Sequence, residues 1–189
     1  MEALLVSTVV VALAEIGDKT QLLAILLATR FRKPWPIVAG IFLATIANHL
    51  LAALVGANAA AFLDARWFRY AVAASFVAMA IWTLIPDKIE DLEDKPRRFG
   101  AFLTTFVAFF IVEIGDKTQI ATIALAARYQ HVVMVAAGTT FGMMLANVPA
   151  VFLGNELVRR VPLATVRAIT AGLFLAIGLW LAVQTAGWI

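Results

Sequence analysis

The sequence predicts an all-α integral membrane protein of six transmembrane helices, arranged as two inverted three-helix repeats. Three observations lead there. Of its 189 residues, 63% are apolar, against about 45–50% in soluble domains. The apolar residues gather in six runs long enough to cross a hydrocarbon core roughly 30 Å thick as helices. Finally, the heptapeptide EIGDKTQ occurs twice, at residues 15–21 and 113–119, an offset of 98.

In chain order the expected spans cover about residues 3–29, 37–62, 68–86, 100–127, 132–157 and 163–187. The first holds one EIGDKTQ between ALLVSTVVVALA and LLAILLATRF, and the fourth holds the other. Short polar breaks separate the runs: FRKPWP after the first, DARWFR after the second and NELVRRVP after the fifth. The longest polar stretch, PDKIEDLEDKPRRFG at residues 86–100, reads as the main water-exposed loop. The offset holds without a gap, pairing Arg30 with Arg128, Gly40 with Gly138, Gly56 with Gly154, Arg69 with Arg167, Phe76 with Phe174 and Trp82 with Trp180. The organisation expected is one transmembrane domain: a first repeat at 1–86, a loop at 87–99 and a second repeat at 100–189. Three spans is an odd number, so the second copy enters from the opposite side. That is the inverted-repeat plan of secondary transporters, with sites near the midplane where the repeats meet.

Basic residues orient the chain. With the N-terminus outside, the inner loops hold Arg30, Arg32, Lys33, Lys88, Lys95, Arg97, Arg98, Arg159, Arg160 and Arg167, and the outer loops only Arg66, Arg69 and Arg128. This positive-inside bias puts both termini outside and the central loop in the cytoplasm. The net charge of +3 does not indicate nucleic acid, because the basic residues are scattered at span ends and form no continuous face. There are no cysteines, which rules out disulfides and thiolate metal sites. Ala12-Leu13-Ala14 has the look of a signal-peptidase site, but the segment before it carries Glu2 and no Lys or Arg. The positive region of a signal peptide is therefore missing.

The motif poses the chemical problem. A charge at the centre of a span costs about 2.5–3.5 kcal/mol even on the lenient insertion scale. Glu15, Asp18, Lys19, Glu113, Asp116 and Lys117 must therefore face one another in an interior cavity. If each segment stays helical, Glu15 and Asp18 share one face, as do Glu113 and Asp116. Four carboxylates and two lysines leave a charge of minus two, which one divalent cation or two protons neutralise. Like charges so close disfavour full ionisation, so an emptied site takes up protons. Lys19 stands four residues after Glu15 and is alternatively its helical partner. Thr20, Gln21, Thr118 and Gln119 offer neutral oxygens for a hard cation. Gly17 and Gly115 allow close helix packing, or a local break that turns carbonyls inward. His49 lies mid-span with Asn48 beside it and Asn147 as its counterpart; these read as supporting partners of the site or as interhelical glue. His131 sits in a short loop with no expected role, and Gly138 and Gly142 read as a packing GxxxG.

The doubled E-φ-G-D-[KR]-[ST] pattern, at Glu15-Ile16-Gly17-Asp18-Lys19-Thr20 and Glu113-Ile114-Gly115-Asp116-Lys117-Thr118, resembles the signature of the Golgi manganese/calcium transporter family. That family is also called the second calcium/cation antiporter family, and its bacterial members include manganese exporters. The resemblance implies export of a divalent cation, manganese ahead of calcium, in exchange for protons, with the motif acids as ligands. It implies no cofactor beyond the transported ion. The short central loop is similar to that of bacterial members in the plasma membrane; homo-oligomerisation stays open. Two other classes compete. Gly17-Asp18 and Gly115-Asp116 are reminiscent of an intramembrane aspartyl protease, but a dyad needs two dry carboxylates and not four with two lysines. A small organic solute exporter would want a roomier, more aromatic cavity.

Overall fold

The computed structural model describes residues 1–59, 65–85, 100–154 and 163–187. Among them are eight α-helices and no strands: α1 (Glu2–Glu15), α2 (Lys19–Phe31), α3 (Pro34–Ala59), α4 (Arg66–Leu84), α5 (Ala101–Glu113), α6 (Lys117–Tyr129), α7 (Val132–Leu153) and α8 (Leu163–Ala186). Four of these, α3, α4, α7 and α8, are long and apolar enough to cross a membrane. The span ends expected at 62, 86 and 157, the loop at 87–99 and the NELVRRVP break lie outside the described residues.

The first and fourth expected spans are not continuous helices. Each is cut by its motif into two short ones, α1 with α2 and α5 with α6. The cause is local. Ile16 (φ −66°, ψ 115°) and Gly17 (φ 81°) follow Glu15, and Asp18 N–H donates back to Glu15 O at 3.0 Å. Ile114 (φ −63°, ψ 119°), Gly115 (φ 77°) and the 3.1 Å bond from Asp116 N–H to Glu113 O repeat it. These are the angles of a type II turn, whose third position needs positive φ and so favours glycine. Of the two roles open to these glycines, backbone conformation is the one seen: a Cβ on Gly115 would meet nothing within 4 Å. At their far ends α2 and α6 close on Arg32 and Gln130, both left-handed, with N–H bonds of 2.9 Å to Ala28 O and Ala126 O.

The main helix contacts come in matched pairs when the halves are exchanged, while α1 on α8 and α4 on α6 have no counterpart of similar extent. α1 lies on α7 as α5 lies on α3; α2 meets α7 as α6 meets α3; α3 packs on α7 and α4 on α8. Apolar lipid tails supply no hydrophobic drive for helices to associate, so close van der Waals fit has to do it. Small residues provide that fit. A Cβ on Gly40 would stand 2.8 Å from Phe102 O, and one on Gly138 would stand 2.5 Å from Leu4 O. A Cβ on Gly142 would come 2.5 Å from Thr8 O, so the GxxxG is indeed a seat for the α1 backbone. Where α4 meets α8, the buried rings of Phe76 and Phe174 lie 6.1 Å apart. The polarity of the whole is that of a membrane protein: Glu15, Asp18, Glu113, Asp116 and Lys117 are buried, while Leu51, Ile81, Phe141 and Leu179 are exposed.

Gly138→Ala should therefore lower the melting temperature in detergent by several degrees, since overpacking costs about 1–3 kcal/mol. Gly172→Ala, on α8 with nothing within 4 Å of the new Cβ, should leave it unchanged or slightly raised. Equal melting of the two variants would refute close α1–α7 packing as a source of stability.

Candidate cation site

The two turns bring four helix ends together. α1 and α5 terminate at Glu15 and Glu113, and α2 and α6 begin after Asp18 and Asp116, which occupy their N-cap positions. The partial positive ends of α2 and α6 favour the aspartates, and the carbonyl ends of α1 and α5 favour a cation. Neither aspartate caps its own helix through its side chain. Each instead reaches the lysine of the other motif. Lys117 pairs with Asp18 in a buried ion pair, and Lys19 Nζ stands 2.8 Å from Asp116 Oδ1. The expected alternative, Lys19 along the helix to Glu15, is not what forms, because the turn at 16–18 ends the helix that would have aligned them.

Carboxylate oxygens of Glu15, Asp18 and Asp116 lie within 4.8 Å of one another, all buried. The site thus takes acids from both halves. Glu113 is set slightly apart, within electrostatic reach of Glu15 and Asp116. Its Oε1 accepts from Thr45 on α3 at 3.2 Å, and its Oε2 faces His49 Nε2 at 3.8 Å. Thr20 donates to Glu15 Oε2, and Thr118 reaches Asp116 Oδ2 at 3.4 Å. Glu15 Oε1, Glu113 Oε2 and Asn147 Oδ1 are buried with no hydrogen-bond partner. Burying an unsatisfied acceptor costs about 1–3 kcal/mol, more when charged. A cluster in which acceptors exceed donors is what a cation satisfies.

The other expected site residues fall as follows. Gln21 and Gln119 spend their side-chain oxygens on the turns: Gly17 N–H donates to Gln21 Oε1 at 2.9 Å and Gly115 N–H to Gln119 Oε1 at 2.7 Å. Gln21 also donates to Ala146 O on α7 at 3.0 Å, tying the first turn to the second half. Asn48 donates to Phe110 O on α5 at 3.1 Å and acts as interhelical glue. Asn147 donates to Met143 O within its own helix at 3.1 Å, leaving its oxygen facing inward unpartnered. His131 is exposed at the start of α7. Thr45 is the residue that sequence reading passed over. It has no polar counterpart 98 residues on, where Met143 stands. Its spacing of three and four from Asn48 and His49 puts all three on one face of α3, and that polar stripe was the available signal.

A family described as "Divalent cation/proton antiporter GDT1" matches the chain twice, over residues 3–91 and 101–188. A Vibrio cholerae protein described as "Putative manganese exporter" is 52% identical over 180 residues, covering 95% of this chain and 90% of the relative. A GDT1-like protein of Synechocystis is 32% identical over 185 residues, covering 87% of this chain and 88% of its own. A GDT1-like protein of rice, Oryza sativa subsp. indica, is 28% identical over 204 residues, covering 94% of this chain and 72% of its own. No solved structure matches.

The crossed pairing has a thermodynamic signature. Removing one partner of a buried pair costs about 3–5 kcal/mol, whereas removing both is far milder. Lys117→Met should destabilise the protein strongly, and Lys117→Met with Asp18→Asn should regain much of the loss; Lys117→Met with Asp116→Asn should not. Melting curves that rank the two double variants the other way round would disprove the crossed arrangement.

Proposed function

The chain belongs to the divalent cation/proton antiporter family GDT1, and from that premise we propose that it exports Mn2+ from the cytoplasm in exchange for protons. Members of this family are transporters, so the chain is a transporter and not an enzyme, and the protease reading falls away. The observation that carries the finer reading is the charge left after the lysines are assigned. Asp18 is matched by Lys117 and Asp116 by Lys19. Glu15 and Glu113 then hold the residual charge of minus two, each with an unpartnered buried oxygen. One divalent cation, or one proton on each glutamate, restores neutrality. The two occupants therefore exclude each other on electrostatic grounds, which is the requirement for obligatory exchange.

In this reading Glu15, Asp18 and Asp116 bind the ion, with Glu113 completing the charge from the α3 side. Thr20 and Thr118 orient the carboxylates, and Gln21 and Gln119 hold the turns. The lysines keep net charge low, so that the site does not trap a cation too tightly to release it. Calcium shares the preference for oxygen ligands and is the second candidate substrate. We take α1 with α2 and α5 with α6 each as one discontinuous span, giving six crossings in two inverted halves in the plasma membrane. Broken helices at a midplane site are the transporter form of a helix-terminus ion site.

Two experiments test these proposals. In liposomes holding a metal indicator, the purified protein should move Mn2+ when a pH gradient is imposed. Glu15→Gln, Asp18→Asn, Glu113→Gln and Asp116→Asn should each reduce this to the level of empty vesicles while remaining inserted. If any two of the four transport normally, a shared site is ruled out. For orientation, the absence of cysteines makes single-cysteine labelling direct. Glu2→Cys should react with an impermeant maleimide added outside cells, and Glu93→Cys only after the membrane is permeabilised; the reverse pattern would invert the proposed topology.

A further inference from the structure

His49 is fully buried on α3, and neither ring nitrogen has a hydrogen-bond partner. Buried imidazoles are ordinarily held by at least one hydrogen bond, and an orphan calls for an unseen water or ion. Its Nε2 faces Glu113 Oε2, also without a hydrogen-bond partner, at 3.8 Å. That is too long for a hydrogen bond. It suits two donors sharing one metal: ligands about 2.0–2.6 Å from a common ion stand roughly 3 to 4.5 Å apart. Neighbouring groups hold the pair in place. Thr45, one turn earlier on α3, binds the other oxygen of Glu113, and Asn48 anchors α3 to the α5 backbone at Phe110 O.

The other half lacks this nitrogen. The residue matching His49 is Asn147, whose unpartnered Oδ1 offers oxygen alone. The difference matters chemically. Calcium takes oxygen ligands, whereas imidazole is a ligand for first-row transition ions. One nitrogen in a site otherwise built of oxygen tips preference towards the transition ion without removing its hard character.

We propose that His49 Nε2, together with Glu113, ligates the transported ion directly and is the residue that selects Mn2+ over Ca2+. This rests on the cation-exporter reading and deepens it. With no competing hydrogen bond to break, the imidazole meets the ion at little reorganisation cost, and it does so from one half only. The ion's surroundings therefore change in donor type as it moves between the carboxylate cluster and the Glu113 side.

The test is pulsed electron spin resonance of Mn2+ bound to the purified wild-type protein, unlabelled and labelled with 15N-histidine. A coupling to a directly bonded imidazole nitrogen should appear and change isotope pattern with the label. The protein has only two histidines, so the signal should persist in His131→Asn and vanish in His49→Asn. In liposomes, His49→Asn should raise the KM for Mn2+ about tenfold and leave that for Ca2+ within twofold. Bound Mn2+ without nitrogen coupling, or equal losses for both ions, would overturn the assignment while leaving the exporter intact. Failure of the wild-type protein to bind or move either ion would instead bring down the exporter reading, and this inference with it. The labelled wild-type measurement needs no variant to fold.

Discussion

The arrangement depends on one constraint: lysines and carboxylates placed inside an apolar chain must neutralise one another, and neither half can do so alone. The type II turn ends the helix that would have aligned Lys19 with Glu15. Lys117 finds Asp18 and Lys19 finds Asp116, each across the interface between the halves. A single half would leave an ammonium and two carboxylates exposed to hydrocarbon, at a cost no close packing of small residues could offset. The crossed pairs thus act as a register key, holding four helix ends in one place. Glycine seats at Gly40 and Gly138 then bring α5 and α1 close enough for the pairs to form.

Much of this could be read in the chain itself, and what could not has identifiable causes. Two verbatim copies of EIGDKTQ and the matches at an offset of 98 announced a doubled unit with its charge inside. The break in each motif span was harder to read. Hydropathy sees composition over a window of residues, while the turn turns on one glycine with positive φ, a feature that a packing glycine would mimic in sequence. Once the helix is cut, spacing rules lose their force, and so Lys19 did not pair with Glu15 as four-residue spacing allows. The glutamines offered oxygens suitable for a cation, but the turn exposes two backbone N–H groups that nearby Gln21 and Gln119 satisfy first. Thr45 went unnoticed because it repeats nowhere. A search guided by internal repetition is blind to the residues in which the halves differ.

Those differences have their own logic. The Lys19 side chain is 29% exposed against 4% for Lys117, although the two occupy equivalent places in the pattern. Gly115 and Ile114 are exposed where Gly17 is buried. The two motifs are thus buried in opposite senses: the first has a buried turn and a partly exposed lysine, the second an exposed turn and a buried lysine.

Perfect symmetry would make the two halves of the site equivalent. The pair His49 and Asn147 breaks that equivalence at the site itself, as do Thr45 and Met143 beside it. Glu113 receives a hydroxyl and faces an imidazole from α3; Glu15 takes its hydroxyl from Thr20 within its own motif, and the α7 residue matching the imidazole is an amide. Two glutamates that match in sequence therefore sit in different fields. A frame built from duplication thus holds its two matched glutamates among partners that duplication alone cannot supply.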